Sequence, residues 1–210
     1  MGTFERKERE KEARKKTIFE AAKSVFFEKG LQASTMSQIA KKAELSKGSL
    51  YLYFPSKEEL FVNILLEGIE ILIERFENAV KDEGSWEKKI KNIGRAYYDY
   101  YREYKGYFHI LFLFQHGDFS EKISEPLHQL CINKGLSCLS ILSQAIKEGM
   151  DVGHISPDDP MELAIVLWGS INGIIFLYED KEHMEYITGT LDNLINKSIE
   201  VLMDGLKRRE

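Results

Sequence analysis

Apolar residues recur along this chain three and four positions apart, and no stretch alternates with the period of two that a half-buried strand requires. The pattern predicts an all-α protein of about nine helices. Ile18, Ala22, Val25, Phe26 and Lys29 trace the inner stripe of a first helix, and Gly30 stops it. Thr35 and Gln38 have the spacing of a capping box, so a short helix is expected from Met36, with Ile39, Ala40 and Ala43 as its apolar face. Glu44-Leu45 reads as a turn. Ser46 then caps a second short helix, from Lys47 to about Tyr53, in which Leu50 and Phe54 point inward. Lys47, Gly48, Ser49, Tyr51 and Tyr53 are left facing out. Pro55 ends this helix, because the residue before a proline is pushed out of the helical region. Ser56 with Glu59 is a second capping box.

Beyond it, a long helix is expected from Lys57 to about Asp82, broken by Glu83-Gly84, and another from Trp86 to about Tyr104. Lys105-Gly106 interrupts again before Tyr107 to Phe114, a stretch apolar all round and so expected to be buried. Gly117 closes that piece. Glu121 to Met150 reads as mostly helical, and Asp151 to Pro157 as a loop. Asp159 caps a helix with Pro160 at its first position, and a last helix runs from about His183 to Leu206.

The residues from Thr35 to Lys57 carry the chemistry. A capped helical hairpin alone is an ordinary piece of an all-α core. Here, however, the second helix spends its outward face on Lys, Gly, Ser and Tyr, which suit close approach to a phosphate backbone and not a core. Two such helices form a helix-turn-helix, the unit that puts a recognition helix into a DNA major groove. Thr35, Tyr53 and Lys57 are the candidate phosphate contacts, Thr35 and Lys57 because helix N-termini favour anions. Ser46 opens the recognition helix; Lys47, Ser49 and Tyr51 are placed to approach base edges, and Gly48 lets the backbone come close. With no Arg, Asn or Gln on this helix, the usual bidentate base readers are missing, so part of the specificity is expected from DNA shape.

The segment resembles the DNA-binding domain of the TetR family of transcriptional regulators. The matching residues are Ile18 to Ala22, Phe26 to Gly30, Thr35, Ile39-Ala40, Ala43, Lys47 to Tyr51, Tyr53-Phe54 and Lys57 to Leu60, within roughly residues 14 to 65. The resemblance implies an N-terminal three-helix DNA-binding domain, taken as residues 1–58, and a helical effector-binding and dimerisation domain, residues 59–210. It also implies a homodimer on a palindromic operator, a small-molecule effector, and a bundle of C-terminal helices at the dimer interface, here those around Trp168 and Leu191. Gly169, Ser170 and Gly173 would let helices approach closely.

Tyr97, Tyr98, Tyr100, Tyr101, Tyr104, Tyr107, Phe108, Phe112, Phe114 and Phe119 fall within 23 residues. Such a stripe is commonly core; with interleaved His109, Gln115 and His116 it also has the make-up of an apolar pocket with a few orienting polar groups. The family encloses its effector in this region. The expected lining is Leu65, Tyr97, Tyr101, Phe108, His109, Phe112, His116, Trp168 and Asn172, suited to a lipophilic or aromatic compound, with Asp99 or Asp118 available to favour a cation.

Charge is unevenly placed. Residues 1–60 carry 13 lysines and arginines against 9 acids, and the remainder 16 against 25. A basic head on an acidic body fits a chain that touches DNA with one end. Residues 4–16 mix both signs, and read either as a solvated helix start or as a basic arm reaching a DNA groove. Cys131 and Cys138 lie two helical turns apart, about 10 Å by helix rise, too far to pair; buried free thiols of a cytoplasmic protein are expected. The N-terminus lacks a secretory signal, and the apolar run Leu163 to Tyr178 falls short of the ~20 residues of a membrane span. The five histidines form no His-x-x-x-His pair, and there is no nucleophile elbow or phosphate-cradling glycine loop. No enzyme activity, metal or cofactor is therefore expected, and no membrane partner. The sequence reads as a ligand-responsive repressor; a regulator controlled by a protein partner, or an α-helical enzyme or carrier, are the other classes.

Overall fold

The computed structural model describes residues 3–81, 84–116, 119 and 121–207, without the side chains of Thr3, Phe4, His116 and Met184. Asp82, Glu83, Gly117 and Asp118, named above, lie outside the described residues. Ten helices are present among the described residues: α1 (Thr3–Ala33), α2 (Met36–Lys42), α3 (Lys47–Tyr51), α4 (Lys57–Ala79), α5 (Trp86–Glu103), α6 (Lys105–His116), α7 (Glu125–Asp151), α8 (Pro160–Glu179), α9 (Lys181–Met184) and α10 (Leu191–Leu206). Among the same residues the only extended pairing is an isolated bridge between Ile155 and Lys207. The all-α expectation holds.

The chain divides into two compact units, Met1–Ile69 with Tyr104–Lys134, and Glu70–Glu103 with Gly135–Glu210. In the first, α1 packs on α2 and α6, and α2 on α3. Ile18, Ala21, Ala22, Val25 and Phe26 of α1 are buried with Ile39, Ala40, Leu50, Leu60 and Phe61. Phe61 stacks on Phe119 with ring centroids 5.5 Å apart, and Phe26 meets it edge-on at 5.6 Å. Lys29 is exposed, not part of the stripe, because its ammonium would lose its hydration in the core. Gly30 takes φ +73°, the left-handed conformation that only glycine adopts cheaply, and breaks α1 as expected.

In the second unit α5, α8 and α10 pack together. Tyr97, Tyr98, Tyr100 and Tyr101 of α5 are buried, as are Ile171 and Ile175 of α8 and Ile195 of α10. Gly149 is needed in α7: a Cβ there would stand 2.7 Å from Ile155 Cδ1 and 2.8 Å from the Trp86 ring.

Several expectations change. The last helix is two: His183 belongs to the short α9, and Thr190 caps α10 through Asn193 N, 3.3 Å away, leaving 185–190 non-helical around Gly189. Tyr107 to Phe114 is not buried all round, since His109 is exposed and Leu113 is 43% exposed while Phe108, Ile110 and Leu111 are buried. α8 is not a buried helix either: it has the length and apolarity of a membrane span, yet only one face is covered. Ile165, Val166, Phe176 and Leu177 on the other face are 41–54% exposed.

Candidate nucleic-acid interface

The geometry around α2 and α3 follows from their caps. Thr35 Oγ1 accepts from Gln38 N at 3.2 Å, and Gln38 Oε1 accepts from Thr35 N at 2.9 Å, so the box closes in both directions. The Thr35 hydroxyl hydrogen remains available to an outside acceptor. Glu44, in the turn, takes φ +56°, strained for a side chain with a Cβ. Ser46 Oγ accepts from Ser49 N at 3.1 Å and lies 2.8 Å from Ser49 Oγ.

α3 stops at Tyr51, two residues earlier than expected, and continues into a turn in which Tyr53 N and Phe54 N both donate to Leu50 O ahead of Pro55. Leu50 is fully buried, Phe54 and Tyr53 are half-buried, and Ser46, Lys47 and Gly48 are exposed or nearly so. The Lys47 ammonium sits 5.8 Å from the Tyr51 ring centroid, and a Cβ at Gly48 would meet only Ser46 Oγ, at 3.9 Å. The backbone there is thus open to a surface. Leu52, 85% exposed, belongs to the same surface and is not among the residues the sequence singles out. The i, i+4 pairing of Leu50 with Phe54 carries the signal, since it turns the intervening residues outward.

Lys57 is placed otherwise than a free phosphate ligand. Its ammonium donates to Leu31 O at 2.9 Å and Ser34 O at 3.2 Å. Two of its three donors therefore close the end of α1, while Ser34 Oγ donates to Gly30 O. The α4 backbone begins here, with Glu59 N on Ser56 Oγ at 3.0 Å.

The expected effector residues fall into two groups. In the second unit, Tyr97 OH donates to Asn172 Oδ1 at 2.6 Å, with the Trp168 side chain close enough to its hydroxyl to favour the ionised form, so these three come together. Burial raises the Tyr97 phenol above its ordinary pKa, which keeps it a donor. Tyr101 OH donates to Glu179 Oε1 at 2.9 Å. In the first unit, Leu65 and Phe108 are buried, Phe112 is half-buried, His109 is exposed, and the His116 side chain lies outside the described residues. Burial pushes the Cys131 thiol up to about 11, so it is inert at neutral pH. Among the described residues no group of three His, Cys, Asp or Glu side chains is arranged to hold a metal ion.

A capped α2–turn–α3 pair packed under α1, exposing Lys47, Gly48 and Tyr51, defines a helix-turn-helix DNA-binding regulator. The family profile described as "Bacterial regulatory proteins, tetR family" matches residues 18–64. The HTH-type transcriptional regulator YhgD of Bacillus subtilis, itself uncharacterized, is 29% identical over 190 residues, covering 89% of this chain and 96% of its own. The fatty acid metabolism regulator protein of the same organism is 30% identical over 142 residues, 64% of this chain and 72% of its own. The crystal structure of FadR from Bacillus subtilis in complex with stearoyl-CoA superposes with a TM-score of 0.69 at 25% identity, covering 90% of this chain and 97% of that one. The chain belongs to the TetR family of bacterial regulatory proteins.

Proposed function

We propose that the protein is a homodimeric repressor that leaves a palindromic operator when a small lipophilic effector binds its body. The observation that carries the DNA half is α3, a capped helix whose outward face is Lys47, Gly48, Ser49 and Tyr51 over the buried Leu50. Residues 1–58 act as the DNA-binding domain and 59–210 as the effector-binding and dimerisation domain. Thr35, Ser46, Tyr53 and the amide end of α4 at Lys57 hold phosphates, the last by backbone N–H groups and helix dipole, since the Lys57 side chain is engaged. Lys47, Ser49 and Tyr51 approach base edges.

The dimer reading draws on α8. Its exposed Ile165, Val166, Phe176 and Leu177 form one apolar face, and nothing lies within 4 Å of a Cβ built at Gly169 or Gly173. A partner helix fits there.

For the effector, Tyr97, Tyr101, Trp168 and Asn172 in the second unit form one set, and Leu65, Phe108, His109 and Phe112 in the first another, and each suits an apolar compound. The stearoyl-CoA carried by FadR and the fatty acid metabolism regulator among the relatives make long-chain acyl thioesters the first class to test. Release follows if the effector tilts α4, moving the two recognition helices off the ~34 Å spacing of successive major grooves. A tenfold release needs about 1.4 kcal/mol of differential affinity, and by linkage the operator weakens the effector equally.

The test is selection of bound genomic fragments, then operator binding by fluorescence anisotropy with acyl-CoA esters of graded chain length. Release at micromolar ester is expected from wild type and not from Phe112→Ala, whose effector-free operator affinity is retained. Effector affinity that is the same with and without saturating operator would overturn the coupling.

A further inference from the structure

The charged N-terminal run is helical throughout. α1 begins at Thr3, so 15 residues, about 22 Å of helix, precede Ile18, the first buried residue. On this helix one face gathers cations, while Arg6, Arg9 and Lys16 lie on other faces. Lys7, Lys11 and Arg14 follow at i, i+4 and i+7, and Ile18 is i+11. They continue, in register, the face that buries Ile18, Ala21, Ala22 and Val25 against the rest of the first unit. Lys15 flanks the same stripe. Glu5, Glu8 and Glu12 share a different face, roughly a third of a turn away, while Glu10 borders the stripe, three residues from Lys7 and four from Arg14.

The cations on the stripe are only lightly committed. Lys11 pairs with Glu8 at 3.8 Å and Lys15 with Glu12 at 2.9 Å, both solvent-exposed pairs that water and salt screen and a stronger anion can displace. Among the described residues Lys7 and Arg14 form no ion pair. Lys15 is within electrostatic reach of the Tyr53 phenol, just past the end of α3. The stripe extends the side of α1 that packs into the first unit, with α2 among its partners.

We propose that residues 5–15 are a rigid helical arm that lays Lys7, Lys11, Arg14 and Lys15 along the DNA phosphates flanking each half-site, extending the footprint beyond the recognition helix. This rests on the DNA-binding reading above. Successive stripe cations advance about 4.5–6 Å along the axis, a ladder suited to a sugar-phosphate strand. A lipid surface is the poorer occupant, because Ala13 is the one apolar residue from 5 to 17 and an interfacial helix needs an apolar face. The arm reads no bases: it adds affinity and salt dependence and fixes orientation.

Two full-length variants of equal charge test it: K7Q/K11Q/R14Q on the stripe, and R6Q/R9Q/K16Q off it. Both are checked for helix content by circular dichroism. Operator affinity is measured by anisotropy against salt, with hydroxyl-radical footprinting. The stripe variant is expected to lower the salt slope by about 0.9 for each phosphate it no longer neutralises, and to lose the outermost protections while keeping the centre. The off-stripe variant is expected to keep those protections. Equal slope changes in both, with the flanks protected, would reduce the effect to net charge and overturn the arm. A wild type that retains no genomic fragment would instead overturn the DNA-binding reading itself.

Discussion

The Lys23 ammonium of α1 stands 3.2 Å from Glu67 Oε2 of α4, and the Tyr107 hydroxyl of α6 joins them, donating to Glu67 and lying 3.3 Å from Lys23. Glu20 adds a second carboxylate at 2.7 Å, and the Phe19 ring lies 5.2 Å from the ammonium. Three helices distant in sequence thus meet at one partly buried charge. Lys23→Met keeps the stem but leaves Glu67 without its cation. A loss of about 1 kcal/mol is expected in urea unfolding, since Glu67 is only half-buried, with most of it recovered by adding Glu67→Gln, which leaves no carboxylate there without its cation.

The same cluster sets an alkaline limit. Burial, then the hydrogen bond to Glu67, raises Tyr107 to about 12. Lys23 is also raised: burial lowers it, but its bonds to Glu20, Tyr107 and Glu67 outweigh that. Groups with raised folded pKa values contribute stability that is complete below their unfolded values, near 10 and 10.5, and lost as pH rises through the folded ones. The cluster's contribution should be flat from about pH 7 to 9 and decline above about pH 10. Tyr107→Phe should flatten part of that decline in pH-dependent denaturation.

Gly106 lies under the Phe27 ring, where a Cβ would stand 2.6 Å from Cγ. Phe27 in turn meets Tyr107 edge-on at 5.1 Å. Gly106→Ala should therefore cost about 1–3 kcal/mol by overpacking. Adding Phe27→Ala, at a ring 42% exposed, should reverse most of it. A double variant no more stable than Gly106→Ala would show that the ring is not the obstacle.

Gly173 presents the opposite case, with nothing within 4 Å of an added Cβ. Gly173→Leu should leave the protomer's fold intact and weaken self-association. Light scattering at graded concentration reads this out, and a wild type that is monomeric at micromolar concentration would sink the dimer reading.

Lys57→Ala removes the cap on Leu31 O and Ser34 O. Thermal denaturation should report a loss of about 1 kcal/mol. With the side chain engaged there, the salt slope of operator binding should stay unchanged, and a slope lower by about one would put its remaining donor on a phosphate. A stability loss with an unchanged slope assigns the side chain to the cap alone.

Local structure could be read from the chain alone. Thr35-Gln38, Ser46, Asp159-Pro160 and Gly30 are signals contained within four residues, and each cap or stop forms where its chemistry requires. The helix-turn-helix is legible for the same reason: its identity lies in a short run of polar and small residues around two buried ones. Residues 185–190 mislead because Ile187 keeps the helical spacing, while the Thr190 cap that restarts the helix lies further on. What meets across long separations emerges only once the helices pack. No periodicity pairs Lys23 with Glu67 and Tyr107, turns the Lys57 ammonium back onto α1, or divides Tyr97, Trp168 and Asn172 from Leu65 and Phe108. Those partners are chosen by how whole helix faces and their volumes fit, whereas a cap needs nothing beyond its own turn.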